Sequence, residues 1–265
     1  MLMAVNGPYV LTVQHDDFFP NPQRDGENFG TMTCFHRRYQ IGDEHKYFCS
    51  DDLLEDLFIK AAGGGEKGKQ KYDALMDSFD LHPGTTEQLR ALSRALMAEI
   101  EKAYVVLPVY ALDHGGLSVS TKSFNDPWDS GQTGIIYASY DKIREEFDVE
   151  KVTPEIRLQA ENMLNAEVEA YNDYLHGECY GFELYKDGEL QDSCWGFIGS
   201  IDKACQDIAD YLPDNCKAMT SKLSEVTEPA SLIKVLMKHA RIQVEQAVKD
   251  HEHQPRQKSL DAILS

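Results

Sequence analysis

The chain has 265 residues, of which 45 are acidic and 26 are basic, so its formal net charge is −19. A field of this sign repels nucleic acid and anionic membranes, and it suits basic proteins or cations as partners. The sequence contains no run of about 18 apolar residues, which argues against a transmembrane helix. Its first residues lack the basic and apolar regions of a signal peptide, so we expect a cytoplasmic protein.

Six cysteines are spread along the chain without any Cys-x-x-Cys pair: Cys34, Cys49, Cys179, Cys194, Cys205 and Cys216. In a cytoplasmic protein this dispersion favours reduced, partly buried thiols over disulfides or a metal site. We expect no cofactor, apart from a divalent cation that the acidic clusters described below could bind.

The first part of the chain predicts two strands, a helix and a glycine-rich segment. Residues 10–13 and 30–39 are typical of strands, and residues 51–62 are typical of a short helix with acids in its first turn. The glycines and lysines of 61–71 predict a flexible insertion. Its spacing is close to that of a phosphate-binding loop, but Gln70 stands where that loop needs Ser or Thr, so we expect no such loop.

The middle of the chain predicts a helix followed by three strands. Thr85 can cap a helix over 82–103, whose leucines recur at helical spacing. The next stretch, 104–112, is apolar on both faces and is therefore typical of a central strand. Residues 117–124 and 133–140 predict two further strands, the first of which forms a hairpin with 104–112.

The rest of the chain predicts helices around one hairpin. A long amphipathic helix over 153–175 begins with the capping residue Thr153. Residues 179–197 read as a β-hairpin, and Ser200 is placed to cap the helix that follows. Residues 230–250 predict a last amphipathic helix.

These elements arrive as hairpins and helices and not as repeated β-α-β units. The order favours an α+β fold, with a mainly antiparallel sheet built from hairpins and covered by amphipathic helices on one side. We expect a single domain over 1–215 with the flexible insertion at 61–71, a helical extension over 216–250 and a mobile tail over 251–265. Oligomers could form through the apolar face of 230–250.

An oxygen-rich stretch near the N-terminus is a weak candidate for a metal site. It begins with His15, Asp16 and Asp17. Such loops can hold calcium or magnesium, but the spacing does not match an EF-hand. The alternative, which we favour, is that these side chains bond nearby backbone amides in turns.

The most unusual stretch is DHGGLSVSTKSFNDPWDSGQTGIIY, residues 113–137. It contains the candidate site residues Asp113, His114, Asp126, Trp128 and Asp129. A metal-dependent hydrolase needs such a cluster to bind a cation, and an acid–base enzyme needs one carboxylate kept dry beside an aromatic ring. A second interpretation is a binding surface. The interpretation that we favour is structural: Asp113 and Asp129 hold tight turns, Gly115 and Gly116 supply positive φ, and the tryptophan closes the edge of the core.

Acidic residues concentrate between 145 and 192, where 14 acids stand against 3 bases. The helix predicted over 153–175 carries acids on the face opposite its apolar stripe: Glu155, Glu161, Glu167, Glu169 and Asp173. An acidic face of this kind could occupy the DNA-binding surface of a basic protein, although its spacing is less regular than that of phosphates. This face is a second candidate binding surface.

Three blocks, GTMTCFHRRYQIGD, DHGGLSVSTKSFNDPWDSGQTGIIY and SCWGF, resemble a family of hypothetical proteins carried by bacterial phages and mobile elements. The chain departs from the family pattern at Gly116, where a serine is expected, and at Asn125-Asp126, where a cysteine is expected before Pro127. The family has no assigned reaction, so no catalytic residue can be transferred. The resemblance implies an accessory protein that works inside a bacterial host.

The sequence therefore favours an acidic accessory protein that acts by binding a basic host protein, for example by inhibiting a host defence factor as a DNA mimic. The alternatives are a metal-dependent hydrolase that uses the Asp/His cluster at 113–129 and a structural or assembly protein. We expect no direct binding to nucleic acid or to membranes.

Overall fold

The structure, a computed structural model, describes residues 1–79, 84–226 and 229–253, and in the last range it describes side chains for 231–246. The chain forms two compact units, one made of Met1–Phe19 with the chain from Gly177 onward and the other of Pro20–His176. This division differs from the predicted single domain over 1–215. The N-terminal strands pair with strands that follow residue 176, and such long-range pairing has no local signal in the sequence.

The α+β class is confirmed, and all sheet pairings in the described residues are antiparallel. The strands are β1 (Leu2–Asn6), β2 (Tyr9–His15), β3 (Thr31–Cys34), β4 (Tyr104–Asp113), β5 (Leu117–Ser120), β6 (Ser130–Ser139), β7 (Cys179–Lys186), β8 (Glu189–Ile198) and β9 (Ser224–Glu225). The helices are α1 (Pro22–Asp25), α2 (Ser50–Ala61), α3 (Gly65–Asp77), α4 (Thr86–Ile100), α5 (Tyr140–Glu146), α6 (Pro154–Leu175), α7 (Ile201–Tyr211), a 3-10 helix (Lys217–Lys222) and α8 (Pro229–His253).

The unit that begins with Met1–Phe19 is built on a five-stranded sheet in the order β8-β7-β2-β1-β9. Leu11 and Phe182 are fully buried on it, and they pack in one core with Ile208 of α7. Ser200 caps α7 as predicted, because its hydroxyl accepts a hydrogen bond from the amide of Lys203. Strand β1 has no counterpart in the sequence predictions.

The edge strand β8 is protected against pairing with other chains. Asp192, which is exposed, pairs in register with Leu184 and so places a charge on this edge. Its carboxylate accepts a hydrogen bond of 2.9 Å from the amide of Ser193. The register with β7 also shifts twice along the strand. Charges and bulges of this kind discourage edge-to-edge association, so this sheet is not a natural route to oligomers.

The other unit contains a four-stranded sheet in the order β3-β6-β4-β5. Helix α6 packs on one face through Val105 and Ile136, and α2 and α4 pack on the other through Val106 and Ile135. The prediction that helices cover one side is therefore wrong for this sheet. Burial of both faces explains why the sequence of β4 is apolar throughout.

The predicted flexible insertion at 61–71 is also wrong, because α3 begins at Gly65 within it. Gly68 lies so close to α2 that an added Cβ would be 2.2 Å from the carbonyl oxygen of Ile59. Lys69 of α3 joins the two helices by an ion pair with Glu55 of α2 at 2.8 Å, and it also pairs with Asp73 of its own helix at 2.9 Å. The glycines and lysines that suggested flexibility thus allow a close helix pair.

Helix α6 clamps the start of β3 through a carboxylate. Thr153 caps this helix as predicted, and Leu164 and Val168 are buried on its core face. Glu167 accepts hydrogen bonds from the amides of Phe29 at 2.6 Å and Gly30 at 2.9 Å. Burial raises the pKa of Glu167, whereas the two amides act in the opposite direction.

The predicted extension over 216–250 contains the 3-10 helix, β9 and most of α8. Of the predicted mobile tail, 251–265, only the last turn of α8 falls within the described residues. No helix of the described ranges is both long enough and apolar enough to cross a membrane.

We predict that Glu167→Gln lowers the free energy of unfolding by about 1–3 kcal/mol, because each carboxylate oxygen accepts from a different backbone amide and glutamine replaces one of these oxygens by an NH2 donor. Urea denaturation would measure this change. The matched control is Glu169→Gln on the same helix, where the exposed carboxylate accepts from Asn165. Equal stability of the two variants would contradict a stabilising role for the hydrogen bonds from Phe29 and Gly30 to Glu167.

Candidate functional site

Loop 126–130, which we call the Trp128 loop, is fixed by hydrogen bonds within the loop and to the end of β4. The Asp126 carboxylate accepts from the amides of Trp128 at 2.8 Å and Asp129 at 2.9 Å. These amides, that of Asp129 foremost, hold the pKa of Asp126 below its usual range. The Ser130 hydroxyl donates to the carbonyl of Asp126, and the Asp113 amide donates to the carbonyl of Asp129 at 2.9 Å. The loop is therefore preorganised.

The Trp128 side chain extends from this fixed loop into solvent and is 92% exposed. The expectation that it closes the edge of the core is wrong. The expected turn chemistry is present only in part. Gly115, but not Gly116, has positive φ, at +70° between β4 and β5, and the carboxylate that bonds the turn amides is that of Asp126 and not that of Asp113 or Asp129. The turns thus hold the backbone without burying the tryptophan.

Asp113 and His114 are neighbours in sequence, but their side chains have different partners. The Nδ1 atom of His114 lies 2.6 Å from Oδ2 of Asp129, and both side chains are largely exposed. The hydrogen bond to Asp129 raises the pKa of His114. Asp113 instead makes an ion pair with Arg38. Neighbouring residues at a strand end point to opposite sides, which separates the two groups.

His36, which is not among the predicted site residues, also lies near the Asp113 carboxylate. The Nδ1 atom of His36 accepts from the amides of Arg38 at 3.3 Å and Tyr39 at 3.2 Å. Its proton therefore resides on Nε2, which lies 3.8 Å from the Asp113 carboxylate. The signal that could have revealed this site is the run His36-Arg37-Arg38, a basic cluster in an acidic chain.

Residues from both sequence blocks line one cleft of about 330 Å³, which we call the Trp128 cleft. The first block contributes residues 35–38, and the second contributes Asp113 and residues 128–133. Two of the blocks that carry the family resemblance therefore meet at one place. The third, at 193–197, lies on β8 in the other unit.

The four candidate metal ligands do not converge on one point. Asp113 is directed at Arg38, His114 at Asp129, and Asp126 at backbone amides. Across the parts of the chain that the structure describes, there is no group of three or more His, Cys, Asp or Glu side chains that could hold a metal ion. These contacts do not form the shared site that a metal-dependent hydrolase requires.

The N-terminal metal candidates also have other contacts. The Nδ1 atom of His15 lies 3.1 Å from the carbonyl oxygen of Gly177. The Asp16 carboxylate accepts from the Phe18 amide at 3.2 Å, which is the turn chemistry that we favoured. Asp17 is exposed.

The acidic face expected on α6 is incomplete. Glu167 points inward to β3, and Glu161 is paired with Arg157 at 3.0 Å. Asp173 is half-buried, and Glu169 bonds Asn165 at 2.7 Å. Glu155 is exposed at the start of the helix, where the Thr153 hydroxyl lowers its pKa. Of the five acids, Glu155 and Glu169 are exposed, and the other three are partly buried.

None of the six cysteines is in a disulfide. Burial raises the pKa of Cys34 to about 12, which keeps the thiol protonated at neutral pH. This group is therefore not an activated nucleophile, although it lies beside the candidate site.

Comparison of the chain with protein-family models, with curated proteins and with solved structures finds no match. The resemblance to a phage-encoded family therefore stays a prediction.

We predict that Asp129→Asn lowers the pKa of His114 towards its usual value near 6.5. The folded-state pKa of His114 is raised, so this ion pair stabilises the fold below the unfolded-state pKa, and the contribution is lost as pH rises through the folded-state value. NMR titration of the imidazole would measure the shift. Asp141→Asn, at an exposed carboxylate away from His114, is the control; an unchanged pKa in Asp129→Asn would contradict the pairing.

Proposed function

We propose that this chain is a binding protein of a phage or mobile element and that the Trp128 loop is its main recognition element. The observation that carries the proposal is a fully exposed tryptophan on a loop that is locked by hydrogen bonds. Tryptophan is enriched among the residues that dominate interface energetics, and a rigid loop loses little entropy on binding.

The chemistry around the tryptophan suits a basic protein partner. Asp126 and Asp129 flank Trp128, and the whole chain carries a formal charge of −19. The complementary surface is an apolar pocket rimmed by lysine or arginine. By analogy with accessory proteins of mobile elements, the partner is a host factor, and occupation of its basic surface would inhibit it.

Contacts within α6 weaken the variant of this proposal in which the acidic helix mimics DNA. One of its five carboxylates is directed inward and another is paired with an arginine. A mimic needs a row of exposed charges, whereas an aromatic anchor needs one exposed ring. We therefore assign recognition to Trp128 and a long-range electrostatic role to the acids of the helix.

Trp128→Ala should weaken binding to the partner on the order of 30-fold, the effect of truncating a central tryptophan. The measurement begins with capture from a lysate of the bacterial host and quantitative mass spectrometry, followed by titration of the protein that is enriched. Phe18→Ala removes a ring that is 95% exposed in the other unit and is the matched control.

Proteins retained by the wild type and by Phe18→Ala, but lost by Trp128→Ala, would identify the partner. Retention should also fall as salt rises from about 0.1 M to 1 M, since screening shortens the reach of the charges. Capture that is the same for all three proteins, or that is insensitive to salt, would refute the proposal.

A second candidate function, assembly through α8, has one specific observation in its favour. Ile233, Met237 and Val244 are spaced by four and seven residues, so they share one side of the helix, and each is more than half exposed. We expect Met237→Ser to abolish any concentration-dependent dimer seen by analytical ultracentrifugation. A wild-type protein that stays monomeric at high concentration would rule out this route.

A further inference from the structure

A second cleft, of about 720 Å³, lies on the segment 34–48 and is lined by Arg24 from α1. We call it the Arg37 cleft. Its volume falls within the range of small-molecule sites, and it is separate from the Trp128 loop, whose residues do not line it. The charges and rings at its rim indicate what it can hold.

Most polar side chains of this cleft already have partners in the protein. Arg24 donates to the carbonyl of Gln40 at 3.3 Å, and the Asp43 carboxylate accepts from the Met32 amide at 2.5 Å. The Nε2 atom of His45 lies 3.0 Å from a backbone carbonyl. These contacts set the shape of the cleft, and among the described residues the buried Nδ1 atom of His45 has no hydrogen-bond partner.

Arg37 is the exception among the lining cations. It is exposed, and within the described ranges no carboxylate lies at ion-pair distance from it. The next residue, Arg38, is paired with Asp113. In a chain with 45 acids and 26 bases, a guanidinium without an acidic partner at the mouth of a cleft is unusual. It offers a donor fork that matches a carboxylate or a phosphate.

Aromatic rings stand at the same rim. The Phe48 side chain is 94% exposed, while its amide donates to the Asp52 carboxylate at 3.0 Å and ties the backbone to the start of α2. Tyr39 is 45% exposed and stacks on His36 with ring centroids 5.3 Å apart. A fixed backbone with an exposed ring can stack on a planar ligand without reordering the loop.

We propose that the Arg37 cleft binds a small molecule that has one anionic group and one planar ring. Arg37 holds the anion through paired hydrogen bonds, and Phe48 covers the ring. A nucleoside monophosphate and an aromatic carboxylate share this chemistry. The inference does not depend on the proposed function, because neither Trp128 nor a protein partner takes part.

The charge of the chain limits the size of the anion. A polyanion such as nucleic acid would meet the field of the whole protein over many contacts. A single anionic group at Arg37 is dominated by that near cation, because charges more than about 8 Å away are largely screened at physiological salt. The cleft thus suits a small anion and not a nucleic acid strand.

Isothermal titration with four probes tests the ligand class. We expect AMP or benzoate to bind the wild-type chain, and whichever binds more tightly identifies the source of the anion. Adenosine has a ring without an anion, and inorganic phosphate has an anion without a ring, so each should bind at least on the order of tenfold more weakly than AMP. Failure of both AMP and benzoate to bind at about 1 mM would overturn the proposal.

Variants locate the binding to the cleft. Arg37→Ala and Phe48→Ala should each weaken the better probe on the order of tenfold or more. Arg90→Ala removes an exposed arginine of α4 and should leave the affinity unchanged. Trp128→Ala should also retain the ligand, which separates failure of this inference from failure of the proposed function. Unfolding curves would show that each variant is folded, and equal affinity of Arg37→Ala and the wild type would place the ligand elsewhere and refute the assignment.

Discussion

The carboxylate of Glu167 is the contact on which the arrangement of the candidate site depends. Its half-buried position disfavours the charged form, and two backbone amides at the start of β3 offset that penalty. One helical turn later, the hydroxyl of Tyr171 accepts from the amide of Gly42 at 3.1 Å. The segment 31–41 is therefore attached to α6 at both ends. Because this segment lines both clefts, one face of α6 sets the geometry of the whole recognition region.

Local chemistry in the sequence predicted the helices better than it predicted the sheets. Caps at Thr85, Thr153 and Ser200 are confirmed, because a cap involves only the residues beside it. Sheet membership depends on partners far along the chain, so the pairing of β2 with β7 and the division into two units were not predicted. At 61–71, composition suggested flexibility because the close approach of α2 to α3, which glycine permits, is a tertiary property.

The candidate site shows the same division between local and distant information. The sequence predicted turns held by Asp113 and Asp129; turns are present at Gly115 and before β6, but Asp126 is the carboxylate that bonds the turn amides. It could not predict which way the Trp128 ring points, because a turn fixes the backbone and leaves the side chain free to face core or solvent. The partner of Asp113 is Arg38, which is 75 residues away. The acids of this stretch suggest metal ligands, whereas the feature that marks the site is a run of bases in an acidic chain.

Charge and aromatic contact have different roles at the two surfaces. At the Trp128 loop the net charge of −19 acts over distance and raises the rate of encounter with a basic partner, whereas the ring acts only at contact and prolongs the complex. At the Arg37 cleft the same net charge opposes the anion, and the guanidinium of Arg37, which has no carboxylate at ion-pair distance within the described ranges, attracts it. Salt screens that repulsion and that attraction together, so its effect on the small anion is smaller than its effect on the protein partner. Salt dependence therefore distinguishes the two binding events, even though the Trp128 cleft and the Arg37 cleft share residues 35–37.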